Sequence, residues 1–254
     1  MTAKAIEAVD VSLAFGTTKV LDAISLQVKQ GEIVVLVGPS GCGKTSLLNL
    51  LSGFVAPSAG SIVRNGPMRT VHQQSGLLPW LTVAENIALG LREMPDSAAK
   101  TQRIAEALDM IALREFRDHY PHQLSGGMRQ RTELARALVS PAQTLLMDEP
   151  FSALDYMTRL RMRQELVLLL QRMPRTVVLV THDLEEAAQL ADRIVLLSDR
   201  PTTVRTQLQV IAPRPRSVTH PEVVSAVSQL LALLDLENQP ALPEHAPTRV
   251  SAPA

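Results

Sequence analysis

"IVVLVGPSGCGKT", running from Ile33 to Thr45, is the segment from which the architecture follows. It opens with Ile33-Val34-Val35-Leu36-Val37, a short apolar run of the kind that forms a strand buried on both faces. It continues as Gly38-x-x-x-x-Gly43-Lys44-Thr45, the phosphate-binding loop pattern. Beyond Thr45, Leu47, Leu48, Leu50 and Leu51 fall on one face of a helix. Glycines let several backbone N–H groups turn inward, and the following helix N-terminus adds partial positive charge where an anion would sit. Lys44 brings a full charge to the outer phosphates, and the Thr45 hydroxyl is placed to ligate Mg²⁺. A hydrolase nucleophile elbow is excluded, because the fifth residue of Gly38-Pro39-Ser40-Gly41-Cys42 is cysteine rather than glycine.

Outward from this loop, a chain of 254 residues has room for one large domain or two small ones. Its formal net charge is zero, so no overall basic excess points to nucleic acid. No apolar stretch reaches the roughly 20 residues that span a bilayer. The start, "MTAKAIEAVDVS", lacks the apolar core of a secretory signal, and the chain is expected to be cytoplasmic. The single cysteine, Cys42, forms no internal disulfide and suits a reducing compartment. It lies inside the loop, so its alkylation is expected to block nucleotide binding.

The first thirty residues alternate in the manner of antiparallel strands, with turns at Gly16-Thr17-Thr18 and Gln30-Gly31. Gly60 to Val71 predicts a hairpin with Asn65-Gly66 at its tip. Helical patterns fill about 78–140, and strand-like runs return at Thr144–Met147, Val177–Val180 and Ile194–Leu197, with a helix from about Met157 to Arg172 between the first two. Such alternation predicts an α/β fold, a mainly parallel sheet with helices on its faces, into which the helical stretch is inserted. Pro221 opens a further helix, expected over 221–237 with an apolar face at 223, 224, 227, 230, 231 and 234. The Pro- and Ala-rich tail beyond it has the composition of a disordered segment. The basic run at 158–165, "TRLRMRQE", reads as a solvated helix face.

Two further stretches separate the phosphate-loop families. "TLLMDEP" ends a strand in Asp148-Glu149, which sets two carboxylates at the C-terminal edge of a sheet. There Asp148 can hold Mg²⁺ and Glu149 can orient an attacking water as general base. "LSGGMRQR" places Ser125-Gly126-Gly127 at the start of a helix, a second anion cradle. A kinase or small GTPase needs no second cradle.

On these motifs the sequence resembles the ATP-binding-cassette ATPases over residues 5–200, with Met128 replacing the final glutamine of the LSGGQ signature. The resemblance implies a RecA-like phosphate-loop core with an antiparallel β subdomain and a helical subdomain, within residues 1–203, followed by an extension over 204–254. It implies that Gly38, Pro39, Ser40, Gly41, Cys42, Gly43, Lys44, Thr45 and Ser46 hold the phosphates of ATP. Phe15 would stack on the adenine, Gln73 would touch Mg²⁺ with Thr45 and Asp148, and His182 would contact the γ-phosphate. Catalysis would rest on Glu149, His182, Lys44 and Gln73. Asp155, in Ser152-Ala153-Leu154-Asp155, would lie at a dimer interface. Two copies would close head to tail, with Ser125, Gly126 and Gly127 of one completing the ATP site of the other.

The same resemblance implies separate membrane subunits that dock on the 76–83 region, where "SGLLPWLTVAENI" presents Trp80, and a substrate-binding protein outside the membrane. The chain would then sit peripherally on the cytoplasmic face of the inner membrane. "LLPWLTVAENI" and "DEPFSALDYMTR" are similar to the subgroup that imports nitrate, sulfonate, taurine and related small anions. His72, where phenylalanine is common, and a short segment between Gly60 and Gln73 depart from that pattern. Soluble cassette proteins of translation or DNA repair share the ATP chemistry. They usually carry tandem cassettes, zinc insertions or long coiled coils, none of which appears in the sequence.

Overall fold

A computed structural model describes residues 3–72 and 76–234. Its elements, in chain order, are β1 (Lys4–Phe15), β2 (Thr18–Lys29), β3 (Ile33–Val37), α1 (Lys44–Ser52), β4 (Ala59–Arg64), β5 (Met68–Val71), α2 (Val83–Ala88), α3 (Ala98–Met110), α4 (Gly126–Val139), β6 (Thr144–Asp148), α5 (Tyr156–Arg172), β7 (Thr176–Val180), α6 (Leu184–Leu190), β8 (Arg193–Leu197), β9 (Val204–Gln209) and α7 (Pro221–Leu233). Short 3₁₀ turns link several of them. Every residue of β3, β6, β7 and β8 is buried, which is why these strands carry continuous apolar centres rather than alternations, with polar residues only at their ends.

Six strands form the central sheet in the order β5-β6-β7-β3-β8-β9, parallel except for the β8–β9 pair. The pleat of β3 serves two cores at once. Val34 and Leu36 pack with α1 and the antiparallel strands, whereas Ile33, Val35 and Val37 face the side carrying α4, α5, α6 and α7. The second sheet, β2-β1-β4, is antiparallel and alternates buried with exposed positions. Helices α2, α3 and α4 pack on one another between β5 and β6, which are adjacent parallel strands.

Three expectations change. The stretch from Gly60 to Val71 is not a hairpin: β4 pairs with β1 and β5 with β6, in different sheets. The Asn65 backbone N–H donates to the Ala5 carbonyl at 2.8 Å and its side-chain amide to the Lys4 carbonyl at 2.9 Å, so the Asn-Gly turn is spent on crossing between sheets. The expected apolar face of α7 holds at Val223, Val227, Leu230 and Leu234, joined by Ala226, but Val224 is 54% exposed, because α7 lies against α6 on the other side. Residues 235–237 lie outside the described ones. The "TRLRMRQE" face is not simply solvated either. Arg163 is 2% exposed and bonds to Asp183, Glu186 and Gln189, since α5 turns it inward onto α6. Past residue 203 the chain continues the main sheet as β9.

Candidate nucleotide-binding and catalytic site

The loop between β3 and α1 has the shape its composition dictates. Gly43 sits at φ +124°, open to glycine alone, and a Cβ there would stand 3.1 Å from Val20 and Leu21. No side chain caps α1 among the described residues, so its first N–H groups point toward the loop interior. Lys44 is buried, and two of its three ammonium donors go to the Gly38 and Pro39 carbonyls at 2.8 and 2.7 Å. Thr45 is exposed and Ser46 half-buried, one residue further along the helix. Cys42 is 2% exposed, and burial raises its thiol above the usual range. The Thr202 hydroxyl donates to its carbonyl, tying the loop to the chain between β8 and β9.

The carboxylates arrive from β6. Asp148 is 5% exposed; burial pushes its carboxyl up, the Thr45 hydroxyl bonded to it pulls back down, and the charge of Glu149 adds to the rise. A hydroxyl and a carboxylate in contact are two hard oxygen donors, the donor set that suits Mg²⁺ held jointly with phosphate. Glu149 follows at φ +47°, a left-handed conformation that costs a non-glycine residue about 1–2 kcal/mol. Its amide donates to the Val180 carbonyl at 2.9 Å, and its carbonyl accepts from the Ser152 hydroxyl and the Gln130 side-chain amide, each at 3.0 Å. So held, its Oε1 lies 3.1 Å from His182 Nδ1, which comes from the end of β7. A carboxylate paired with an exposed imidazole can orient a water and pass on a proton.

His182 stands on a buried ionic cluster. Asp183 caps α6 by accepting from the Glu186 N–H at 3.0 Å. Burial alone would raise its carboxyl, but that bond and the Arg163 guanidinium outweigh it and hold it below the ordinary range. Glu186 shows the opposite balance: burial drives it up to about 7 in spite of Arg163.

Ser125 caps α4 by accepting from the Met128 N–H at 3.3 Å, with Gly126 and Gly127 forming the first turn. A Cβ on Gly127 would stand 3.1 Å from Leu154, so this turn lies against the 152–155 loop. Asp155 caps α5 by accepting from the Thr158 N–H at 3.0 Å. Phe15 is 58% exposed at the end of β1, on the hairpin whose Val20 and Leu21 abut Gly43. Gln73 lies outside the described residues.

Several residues at the site had no reading from sequence. Glu133 of α4 accepts from the Gly76 N–H at 2.8 Å, while Arg136 donates to the Gly76 carbonyl at 2.9 Å. Burial raises the Glu133 carboxyl, partly offset by those neighbours. Asn86, fully buried, holds the carbonyls of Leu78, Leu81 and Thr82 and the Leu78 N–H, shaping a turn on which Trp80 is 68% exposed rather than packed on the helices. Only the i,i+3 spacing of Glu133 and Arg136 on one helix face hinted at any of this.

A phosphate cradle beside β6 and β7, with an acid and an imidazole meeting at the ends of those two strands, defines a P-loop nucleoside triphosphatase. Within that class the chain belongs to the ABC transporter family, whose model matches residues 21–152, and it is an ATPase cassette of that family. It is 42% identical over 221 residues to an aliphatic sulfonates import ATP-binding protein of Nocardia farcinica, covering 87% of this chain and 88% of that one. It is 43% identical over 208 residues, 77% of its length, to a nitrate import ATP-binding protein of Synechococcus elongatus, of which it spans only 32%. Its fold is similar to a solved dimeric cassette, MJ0796 bound to ADP and phosphate, with a TM-score of 0.73, 29% identity, and coverage of 82% of this chain and 100% of that one. No helix among the described residues is long and apolar enough to cross a membrane.

Proposed function

We propose that this chain is the ATP-hydrolysing subunit of an importer for a small anion, of the nitrate, sulfonate or taurine kind, and that two copies close on two ATP molecules to drive separate membrane subunits. The observation that carries it is the meeting of Thr45 with Asp148 and of Glu149 with His182 at one sheet edge, beside the phosphate loop. The loop backbone of residues 38–46, with its N–H groups at every position but Pro39, and the Lys44 ammonium hold the phosphates, and Phe15 stacks on the base. Thr45, Asp148 and Gln73 hold Mg²⁺, which supplies charge neutralisation for the β- and γ-phosphates. Glu149 orients the attacking water and His182 bonds the γ-phosphate. Ser125, Gly126 and Gly127 of a second copy complete each site, with Asp155 at the boundary between copies.

The relatives named for sulfonate and nitrate import support the direction and the class of cargo. The exposed Trp80 on a turn braced by Asn86 supports 76–83 as the surface that receives a membrane subunit, since such an aromatic is costly to leave in water. On this reading the chain sits peripherally on the cytoplasmic face of the inner membrane, and a substrate-binding protein delivers the anion from outside. Glu149→Gln protein should form a dimer on adding ATP and Mg²⁺, measured by sedimentation. A Glu149→Gln protein that stays monomeric even with its membrane partners bound would sink the proposal. Recovery of the tagged chain with ribosomes or repair factors instead of a multi-pass membrane protein would overturn transport alone.

A further inference from the structure

We propose that Gln130 is a positioning residue that ties the general base of one ATP site to closure at the other, an inference that rests on the composite dimer above. Gln130 lies in the second turn of α4, one turn beyond Ser125, and is 4% exposed. Its amide is used at both ends. Nε2 donates to the Glu149 carbonyl at 3.0 Å, and Oε1 accepts from the Ala153 N–H at 3.0 Å. One side chain thus spans the residue that bears the base and the loop that lies against Gly127.

Why this matters follows from the backbone of Glu149. Its left-handed conformation is kept by what holds its two peptide groups, β7 through the Val180 carbonyl on one side and Gln130 with Ser152 on the other. The direction of the carboxylate is set by that backbone. The other polar side chains of α4 go elsewhere: Arg129 to the Leu124 carbonyl, Arg131 to the Ile111 carbonyl, Thr132 to the Met128 carbonyl, Glu133 and Arg136 to Gly76. In the closed dimer the first turn of α4 meets the partner's nucleotide. A helix moves as a rod, so any shift of α4 on engaging that nucleotide reaches Glu149 of its own chain through Gln130.

The experiment uses Gln130→Leu, close in size but unable to make either bond, and Gln130→Glu, which keeps an acceptor for Ala153 but as a carboxylate cannot donate to the Glu149 carbonyl. Both should lower kcat at least tenfold, with KM for ATP within about twofold and a Hill coefficient moved toward 1. Mixed dimers with Glu149→Gln on one protomer locate the effect. Gln130→Leu should cost at least tenfold more turnover on the protomer that keeps Glu149 than on the one that lacks it. Equal losses in the two arrangements, or a parallel fall in affinity, would show general damage to α4 and overturn the proposal. Should Gln130→Leu fail to fold, the same comparison with Gln130→Glu decides. An ATP-driven dimer whose kcat ignores both variants would refute the coupling alone, whereas Glu149→Gln protein that never dimerises would remove the composite site and the coupling with it.

Discussion

Glu186 is a carboxyl in the wrong place for its charge, and this makes a quantitative prediction. It is 3% exposed in α6, bonded to Arg163 at 3.0 Å, and its other oxygen, Oε1, is buried without a hydrogen-bond partner among the described residues. Burial raises it from an ordinary 4.5 to about 7. Below pH 4.5 both folded and unfolded chains carry the proton. Between pH 4.5 and 7 the unfolded chain has released it while the folded chain keeps it, so stability falls as pH rises through that window. Above pH 7 the loss is complete, at about 3 kcal/mol in all from a shift of this size. Over the accessible range from pH 5.5 to 8.5 the same relation gives about 2 kcal/mol. Replacing Glu186 with glutamine keeps an acceptor for Arg163 and removes the titration. Urea unfolding of wild type and Glu186→Gln across that range should therefore give curves that diverge with rising pH. The variant should gain about 2 kcal/mol relative to wild type between the two ends, a difference that cancels the titrating groups Glu186 does not interact with. Curves that run parallel would refute the reasoning, and a variant that loses stability relative to wild type as pH rises would reverse its sign.

Lys44→Ala should lose ATP binding by at least a hundredfold in a fluorescent-nucleotide titration, because nothing else in the loop carries a full positive charge; unchanged affinity would be fatal to the cradle. Thr202→Val removes the hydroxyl that fixes the Cys42 carbonyl, and through the planar peptide the direction of the Gly43 N–H. It should weaken ATP binding about five- to tenfold and cost about 1–3 kcal/mol of stability, while Thr202→Ser stays near wild type in both measurements. Cys42 should react slowly with iodoacetamide in the folded protein and faster as pH rises, since burial keeps the thiol protonated. Protein alkylated to completion should fail to bind ATP, and full binding by such protein would show spare room in the loop.

Sequence alone determined the strand–loop–helix unit at 33–52 and the carboxylates after β6, because both are local. The loop needs glycines and a lysine at fixed spacing, and a buried parallel strand needs an unbroken apolar run. Ser125-Gly126-Gly127 was legible for the same reason. Tertiary structure alone decided which strands share a sheet. Met68–Val71 is short enough to pair anywhere, and only the parallel partnership with β6 takes it away from β4. It also decided the fate of polar side chains on helices. Arg163 reads from sequence as part of a solvated helix face, and Glu186, Gln130 and Glu133 carry no reading at all, yet each is nearly buried. A charge or amide on a helix carries no sign of whether its neighbour is water or another element. That choice is made when α4, α5 and α6 pack, and it is there that the supports of Glu149 and His182 are built.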